Sequence, residues 1–142
     1  MRNEKSIMAA VIIAASVMVL VSAIGIYMAK SGGVNSEPVT ASIKINFGNG
    51  TVWTYPNISV AGSNATVFGL LMEAAHEGRF NVEYTYYGQY DSIFVDSIAG
   101  IVNGEENNYW QYWMNGEYGI VGADKQPVGD NDDIEWKFTT FS

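Results

Sequence analysis

The sequence predicts an α+β domain, a single sheet packed on one helix, preceded by one transmembrane helix. Three observations predict it. Residues 7–29 form an uninterrupted run without a charge. One segment, residues 67–75, repeats its apolar positions with the period of a helix, as Val67, Leu70, Leu71, Ala74 and Ala75. Most of the remaining chain alternates apolar or aromatic residues with polar ones between Gly, Asn and Asp clusters, the period of strands separated by turns.

The uncharged run has 23 residues, which as a helix at ~1.5 Å per residue spans a hydrocarbon core of about 30 Å. A cleaved signal peptide is the alternative, with small residues at Ala23, Gly25 and Ala29; its apolar stretch is normally about 7 to 15 residues, shorter than this one. Arg2 and Lys5 precede the run and Lys30 follows it, a bias that places the N-terminus in the cytoplasm and the rest of the chain outside. The expected organisation is a cytoplasmic segment 1–6, a transmembrane helix or uncleaved signal anchor 7–29, a linker 30–40 rich in Gly, Ser, Asn and Pro, and an extracytoplasmic domain 41–142.

Beyond residue 33 the chain carries four Lys and Arg against fourteen Asp and Glu, a formal charge of −10. That balance repels nucleic acid and anionic lipid. There is no cysteine in the 142 residues, which removes disulfides, thiolate metal sites and a Cys nucleophile.

Within the domain, Ile43, Ile45 and Phe47 alternate with Ser42, Lys44 and Asn46, a strand that turns at Gly48-Asn49-Gly50 into a second strand over 51–60. The helix comes next, with Asn64 or Thr66 as its cap and Gly78 as its stop. Two β-rich runs, 80–87 and 92–98, flank the turn 88–91, and an Asn-rich loop 103–108 leads to the last third. There Tyr109, Gln111 and Trp113 alternate with Trp110, Tyr112 and Met114, so a strand shows large groups on both faces: one face is core and the other wants a partner. Asn115-Gly116 supplies the positive-φ pair of a tight hairpin, and Asp130, Asn131, Asp132 and Asp133 form an acidic turn before a final strand, 134–141.

The order and spacing of several pieces resemble the small domains similar to the C-terminal domain of transcobalamin and intrinsic factor, surface domains of the DUF4430 type. The pieces are Thr66-Val67 with Leu70-Leu71, the stretch VDSIAG at 95–100, Trp110, Tyr112, Asn115-Gly116, Gly122-Ala123-Asp124, Asp132 and Ile134-Glu135-Trp136. The chain departs from that pattern in reading Asp130-Asn131-Asp132 where the family usually has Asp-Gly-Asp, and in lacking a Pro soon after the Asn-Gly turn. The resemblance implies a β-grasp (ubiquitin-like) arrangement and makes a corrinoid, cobalamin-like ligand the cofactor to consider. In the vitamin carriers such a ligand lies between this domain and a separate helical domain, for which this chain shows no counterpart.

The function expected is a non-enzymatic, membrane-anchored cell-surface module that shows an aromatic sheet face to a partner protein, a glycan or a small planar ligand. The chain has one His and no phosphate-cradling Gly motif between strand and helix. His76 sits near the helix end, where an imidazolium suits the carbonyl dipole. The candidate binding residues are Tyr109, Trp110, Tyr112, Trp113, Asn115, Gly116 and Tyr118, since Tyr and Trp are the residues most useful at recognition surfaces. Asp130, Asp132 and Asp133 are candidates for a hard cation, against the reading that they simply form a turn. Asn49, Asn57 and Asn64 open Asn-X-Ser/Thr sequons and are glycosylation candidates, although Asn49 also reads as a turn residue and Asn64 as a cap. A surface receptor component for a corrinoid is the alternative function, and a pilin-like filament subunit, with its apolar helix in a filament core, is the second alternative.

Overall fold

The computed structural model describes residues 37–142. They run through β1 (Val39–Asn46), β2 (Val52–Val60), α1 (Val67–Gly78), β3 (Val82–Tyr87), β4 (Ser92–Ile98), β5 (Ile101–Val102), β6 (Tyr109–Met114), β7 (Glu117–Tyr118) and β8 (Asp133–Thr139). β1 buries Ala41, Ile43 and Ile45 and leaves Ser42, Lys44 and Asn46 half-buried on its other side. β8 repeats the pattern, with Ile134, Trp136 and Phe138 buried between Asp133, Glu135 and Lys137. Strands alike in phase pair without losing an apolar face to water. β1 and β8 accordingly lie side by side and parallel, Ile43 opposite Ile134 and Ile45 opposite Trp136.

β6 continues the sheet antiparallel to β8, with Trp110 opposite Phe138 and Tyr112 opposite Trp136. β2 closes the other side, antiparallel to β1 with a register shift between Ala41 and Ile43. The sheet order is β2-β1-β8-β6-β7. α1 buries Val67, Leu70, Leu71, Ala74 and Ala75, the first four of them in the common core. Thr66 is its cap: the side-chain oxygen accepts from the Gly69 N–H at 3.0 Å, while Asn64 closes a short 3-10 turn, Gly62–Asn64. The left-handed residue that stops the helix is Arg79, at φ 54°, and not Gly78. Gly78 serves close approach, because a Cβ there would overlap the Tyr55 hydroxyl.

The expected single sheet on one helix, and the β-grasp arrangement with it, is corrected by the pairing of β3, β4 and β5. These form a second, three-stranded sheet in the order β3-β4-β5, so the described residues are mainly β, with two sheets and one α-helix of 12 residues among them. The reason lies in β3, where Val82 is half-buried and the next five residues are exposed. Tyr and Thr on both faces of a strand give it no apolar face to add to the main core. Its partner β4 supplies one instead, through Val95 and Ile98.

The expected transmembrane helix, 7–29, lies outside the described residues. Among the described residues no helix is long and apolar enough to cross a membrane. β1 begins at Val39, two residues before the expected domain start. Residues 37–142 form a unit whose buried residues pack on one another in one cluster.

Replacing Thr66 by Ala removes the side-chain cap of α1 and is expected to lower the stability of residues 37–142 by about 1 kcal/mol, while Thr66→Ser keeps most of it. Urea unfolding followed by Trp fluorescence reads the difference as a shift of midpoint at constant slope.

Candidate functional site

The hairpin β6–β7 turns at Asn115 (φ 52°) and Gly116 (φ 83°), the positive-φ pair that matches strand twist. β7 lasts two residues, and Tyr112 holds the segment after it, Gly119 to Val121, against the core. The Gly119 N–H donates to the Tyr112 carbonyl at 2.9 Å, and the Tyr112 hydroxyl donates to the Val121 carbonyl at 2.7 Å. A Cβ on Gly119 would overlap the Tyr112 ring, so glycine lets the chain lie flat on that ring. Burial raises the Tyr112 hydroxyl above its usual pKa, which keeps it a neutral donor.

The far end of this loop is pinned to β4 and α1. Asp124 Oδ1 accepts from the Ser92 hydroxyl at 3.0 Å and from the Ile93 N–H at 3.1 Å, and the Phe68 N–H donates to the Ala123 carbonyl at 2.9 Å. Nearby, Asp91 accepts from the Tyr86 hydroxyl at 2.8 Å and from Lys125 at 3.2 Å. The Tyr86 hydrogen bond and then Lys125 hold the Asp91 carboxyl below its usual range.

Between this loop, β4 and the edge of β6 lies a cleft of about 150 Å³. Ile93 and Val95 come from β4, Trp110 and Tyr112 from β6, Trp136 from β8, and Tyr118, Val121 and Phe141 from the segments around its mouth. None of its lining residues is charged. Trp110 and Trp136 differ in one respect. The Trp110 Nε1–H donates to the Ile101 carbonyl at 2.8 Å, whereas Trp136 Nε1 has no partner, alone among buried side-chain nitrogens and oxygens of the described residues. Trp136 is 3% exposed, and a buried N–H left unpaired costs about 1–3 kcal/mol.

Tyr118 and Phe141 also border a wider depression on the opposite face of the sheet, shared with Gln111, Trp113 and Lys137. There Lys137 Nζ lies 4.6 Å from the centre of the Trp113 ring, and Trp113 meets Tyr118 edge to face at 5.3 Å.

The sequence-predicted residues thus divide. Trp110 and Tyr112, 4% and 6% exposed, belong to the core and reach the cleft only as its inner wall. Tyr118, 49% exposed, stands at the mouth. Tyr109 and Trp113 are half-buried on the opposite face, where Tyr109 packs on Phe141 at 4.9 Å. Asn115 and Gly116 are exposed at the turn, outside the cleft, and Asn115 serves the acidic segment: its Nδ2 donates to Asp132 and its Oδ1 accepts from the Asp133 N–H. Ile93, Val95, Val121 and Phe141 escape sequence reasoning. β4 reaches β6 by tertiary packing across the two sheets, which no local pattern announces.

The acidic residues are spent on the backbone and on near neighbours. Asp130 accepts from the Thr40 N–H at 2.9 Å and Asp132 from the Gly129 N–H at 2.8 Å, while Asn131 takes the left-handed conformation at φ 65°. Asp133 accepts from the Ser42 hydroxyl at 2.6 Å and from Lys44 at 3.3 Å. Among the described residues no three His, Cys, Asp or Glu side chains gather to hold a metal ion. The sequon residues Asn49, Asn57 and Asn64 are exposed, and Asn49 Oδ1 accepts from the Thr51 N–H at 3.0 Å. His76 is exposed, 3.7 Å from the Glu73 carboxylate.

A family model described as a domain of unknown function, DUF4430, matches residues 64–140. No curated protein matches the chain. Among solved structures, a protein of Ruminococcus gnavus ATCC 29149 assigned provisionally to metal binding superposes with a TM-score of 0.55 at 16% identity, over 73% of this chain and 99% of that one. Haptocorrin, crystallised in complex with Cbi, superposes with a TM-score of 0.56 at 16% identity over 73% of this chain and 26% of haptocorrin. At such identity the likeness is one of fold. The chain matches about a quarter of haptocorrin's length.

Two outcomes are expected from this geometry. Gly119→Ala pushes the loop off the Tyr112 ring and should destabilise the domain by about 1–3 kcal/mol, seen as a lower urea midpoint with altered near-UV circular dichroism. For Asp133, the Ser42 hydrogen bond and the Lys44 charge outweigh partial desolvation and hold its carboxyl below the ordinary 3.8. The folded protein therefore binds this proton less tightly than the unfolded chain does. The stabilisation is complete above the ordinary carboxylate value and disappears as pH falls through the lowered one. Ser42→Ala should return the Asp133 titration midpoint toward 3.8 in a carboxyl NMR titration and flatten the stability loss on the acid side.

Proposed function

The chain belongs to the DUF4430 family, and from that premise we propose that it is a non-enzymatic binding module, held on the extracytoplasmic side of a membrane by residues 7–29. Its ligand site is the uncharged cleft beside β6. The observation that carries this reading is the cleft itself, apolar on its inner wall, ringed at the mouth by Tyr118, Val121 and Phe141, and bounded by a loop tied down at both ends.

Sites that take a whole drug-sized ligand measure about 300–1,000 Å³. This cleft is smaller, about 150 Å³, so it receives part of a ligand, and the remainder lies over the aromatic rim. The fold likeness to haptocorrin in complex with Cbi supports a corrinoid as the first ligand to test. A corrin macrocycle would engage the cleft by one peripheral group and leave its far side to another chain or domain. The wider depression beyond Tyr118 and Phe141, with Lys137 over Trp113, favours contact with a larger partner on the opposite face. Catalysis has no part in the proposal, because the one His, His76, stands in solvent and does not line the cleft.

Calorimetric titration of residues 37–142 with dicyanocobinamide and with cobalamin tests the ligand class. Saturable heat that weakens at least about tenfold, or 1.4 kcal/mol, in Val121→Trp is the expected result. A flat titration on folded protein rejects the corrinoid and leaves a protein or glycan as ligand. Membrane placement is tested with the full chain: it should sediment with membranes and resist alkaline extraction, and protease added to intact cells should remove the domain.

A further inference from the structure

We propose that β3 is the interface on which two copies of this chain join, antiparallel and edge to edge, so that their three-stranded sheets become one. The pairing stands apart from the cleft, since no residue of β3 lines it. It rests on how the sheet edges of the described residues are finished. A bare edge strand offers its unpaired N–H and C=O groups to any extended backbone, and folded proteins blunt such edges by shortness, Pro, Lys or a bulge. The edge strands β5 and β7 are two residues long. β2 is long but carries Pro56, and Pro56 and Asn57 stand together opposite Ser42, between the pairs Tyr55–Ile43 and Ile58–Ala41. That is a bulge with a missing donor beside it.

β3 has none of these devices. Its six residues, Val82–Tyr87, include no Pro, Lys or Arg. Its own path is regular: where it pairs with β4 the extra residue is Asp96, on β4, between the pairs Glu83–Ser97 and Tyr84–Val95. Among the described residues the other side of β3 pairs with no strand and takes no backbone hydrogen bond. Its polar side chains are tied back to their own hairpin. Glu83 accepts from the Ser97 hydroxyl at 3.1 Å, the Thr85 hydroxyl donates to Asp96 at 2.6 Å, and the Tyr86 hydroxyl donates to Asp91 at 2.8 Å. What the edge has left to offer is backbone, and the group that answers it is another strand.

The strand that fits is a second β3. The exposed residues run from Glu83 to Tyr87, and antiparallel overlap of that span with its own copy centres on Thr85. Thr85 then faces Thr85, Tyr84 faces Tyr86, and Glu83 faces Tyr87 of the second copy. Thr–Thr and aromatic pairs are favourable cross-strand neighbours, and no carboxylate of the strand stands opposite another. Other registers are worse. Centring the overlap on Glu83 sets two carboxylates face to face, and centring it on Tyr87 runs each strand into the turn that begins at Gly88, where the Tyr90 N–H donates to the Tyr87 carbonyl. A patch that complements itself about one axis is what a two-fold dimer requires.

The test reads both association and register. In sedimentation, residues 37–142 are expected to show a monomer–dimer equilibrium. Thr85→Lys sets two cations against each other on the axis and should raise the dissociation constant at least about tenfold, with the far-UV circular dichroism unchanged. The chain has no cysteine, so an introduced one reports on its own surroundings. Opposed residues of antiparallel strands have Cα atoms about 4.5–5.5 Å apart, within reach of a disulfide. In the full chain, expressed in cells and oxidised in place, Thr85→Cys is expected to give a disulfide-linked dimer. Tyr87→Cys alone should give none, whereas Tyr87→Cys together with Glu83→Cys should give the mixed pair.

A single copy at every concentration, a dimer that Thr85→Lys leaves intact, or Tyr87→Cys cross-linking as readily as Thr85→Cys overturns the proposal. Cross-linking of Thr85→Cys to a different protein alone also overturns it and gives the edge to a foreign strand. If Thr85→Lys fails to fold, the cysteine pairs decide.

Discussion

The described chain depends on the parallel pairing of its first strand with its last. β1 and β8 are separated by about ninety residues of sequence, and they meet in register from Ser42 opposite Asp133 to Asn46 opposite Lys137. The rest of the main sheet is built out from these two, β2 on β1 and β6 on β8, with the short β7 added on β6. Closing so long a loop costs entropy that local contacts cannot offset early in folding. The return comes in the middle of the sheet, where Ile43, Ile45 and Ile134 are wholly buried. The acidic turn belongs to the same joint: the Asn131 N–H donates to the Thr40 carbonyl, Asp130 and Asp133 bond to Thr40 and Ser42, and the crossing is fixed at its start by polar atoms.

From that joint the cleft is built by steps. β8 sets β6, β6 sets the ring of Tyr112, and the ring sets the path of the chain from Gly119 to Val121 through one backbone and one side-chain hydrogen bond. Asp124 then fastens the loop to the start of β4. A wall assembled this way is built from strands and short tethers, which hold a guest in one orientation better than long free loops do. The same steps explain why two aromatic residues of the strand are inside: Trp110 and Tyr112 are the footing of the cleft before they are its surface.

What can be read in the chain and what cannot divides along local and distant information. The alternation of Ile43 and Ile45, the helical phase of Val67 to Ala75 and the Asn115-Gly116 turn all depend on neighbours within a few residues, and the structure has them where the sequence puts them. Sequence narrows the helix cap to Asn64 or Thr66, and hydrogen-bond geometry chooses Thr66. The second sheet escapes a reading of the sequence because β3 and β4 look like any pair of strands until one asks which face of β3 could enter the core. The acidic cluster has two readings in sequence, and its carboxylates prove to be partners of Thr40, Ser42, Lys44, Asn115 and Gly129. Of the cleft, the sequence shows the aromatic half. Ile93 and Val95 reach it from the other sheet, and the free N–H of Trp136 is a fact of packing that spelling cannot carry.

The parallel joint has a mechanical side as well. A pull applied at Val39 acts along the axis of β1, which lies between β2 and β8 and not at an edge. If the load is borne at the far end of β8, near the mouth of the cleft where Phe141 sits, the two parallel strands are drawn past each other lengthwise. Their cross-links, evenly spaced in a parallel pair, then share the load and yield together, where a hairpin pulled from its open end would unzip one bond at a time. A domain tethered through its first strand and gripped beside its last is wired to stay folded under tension.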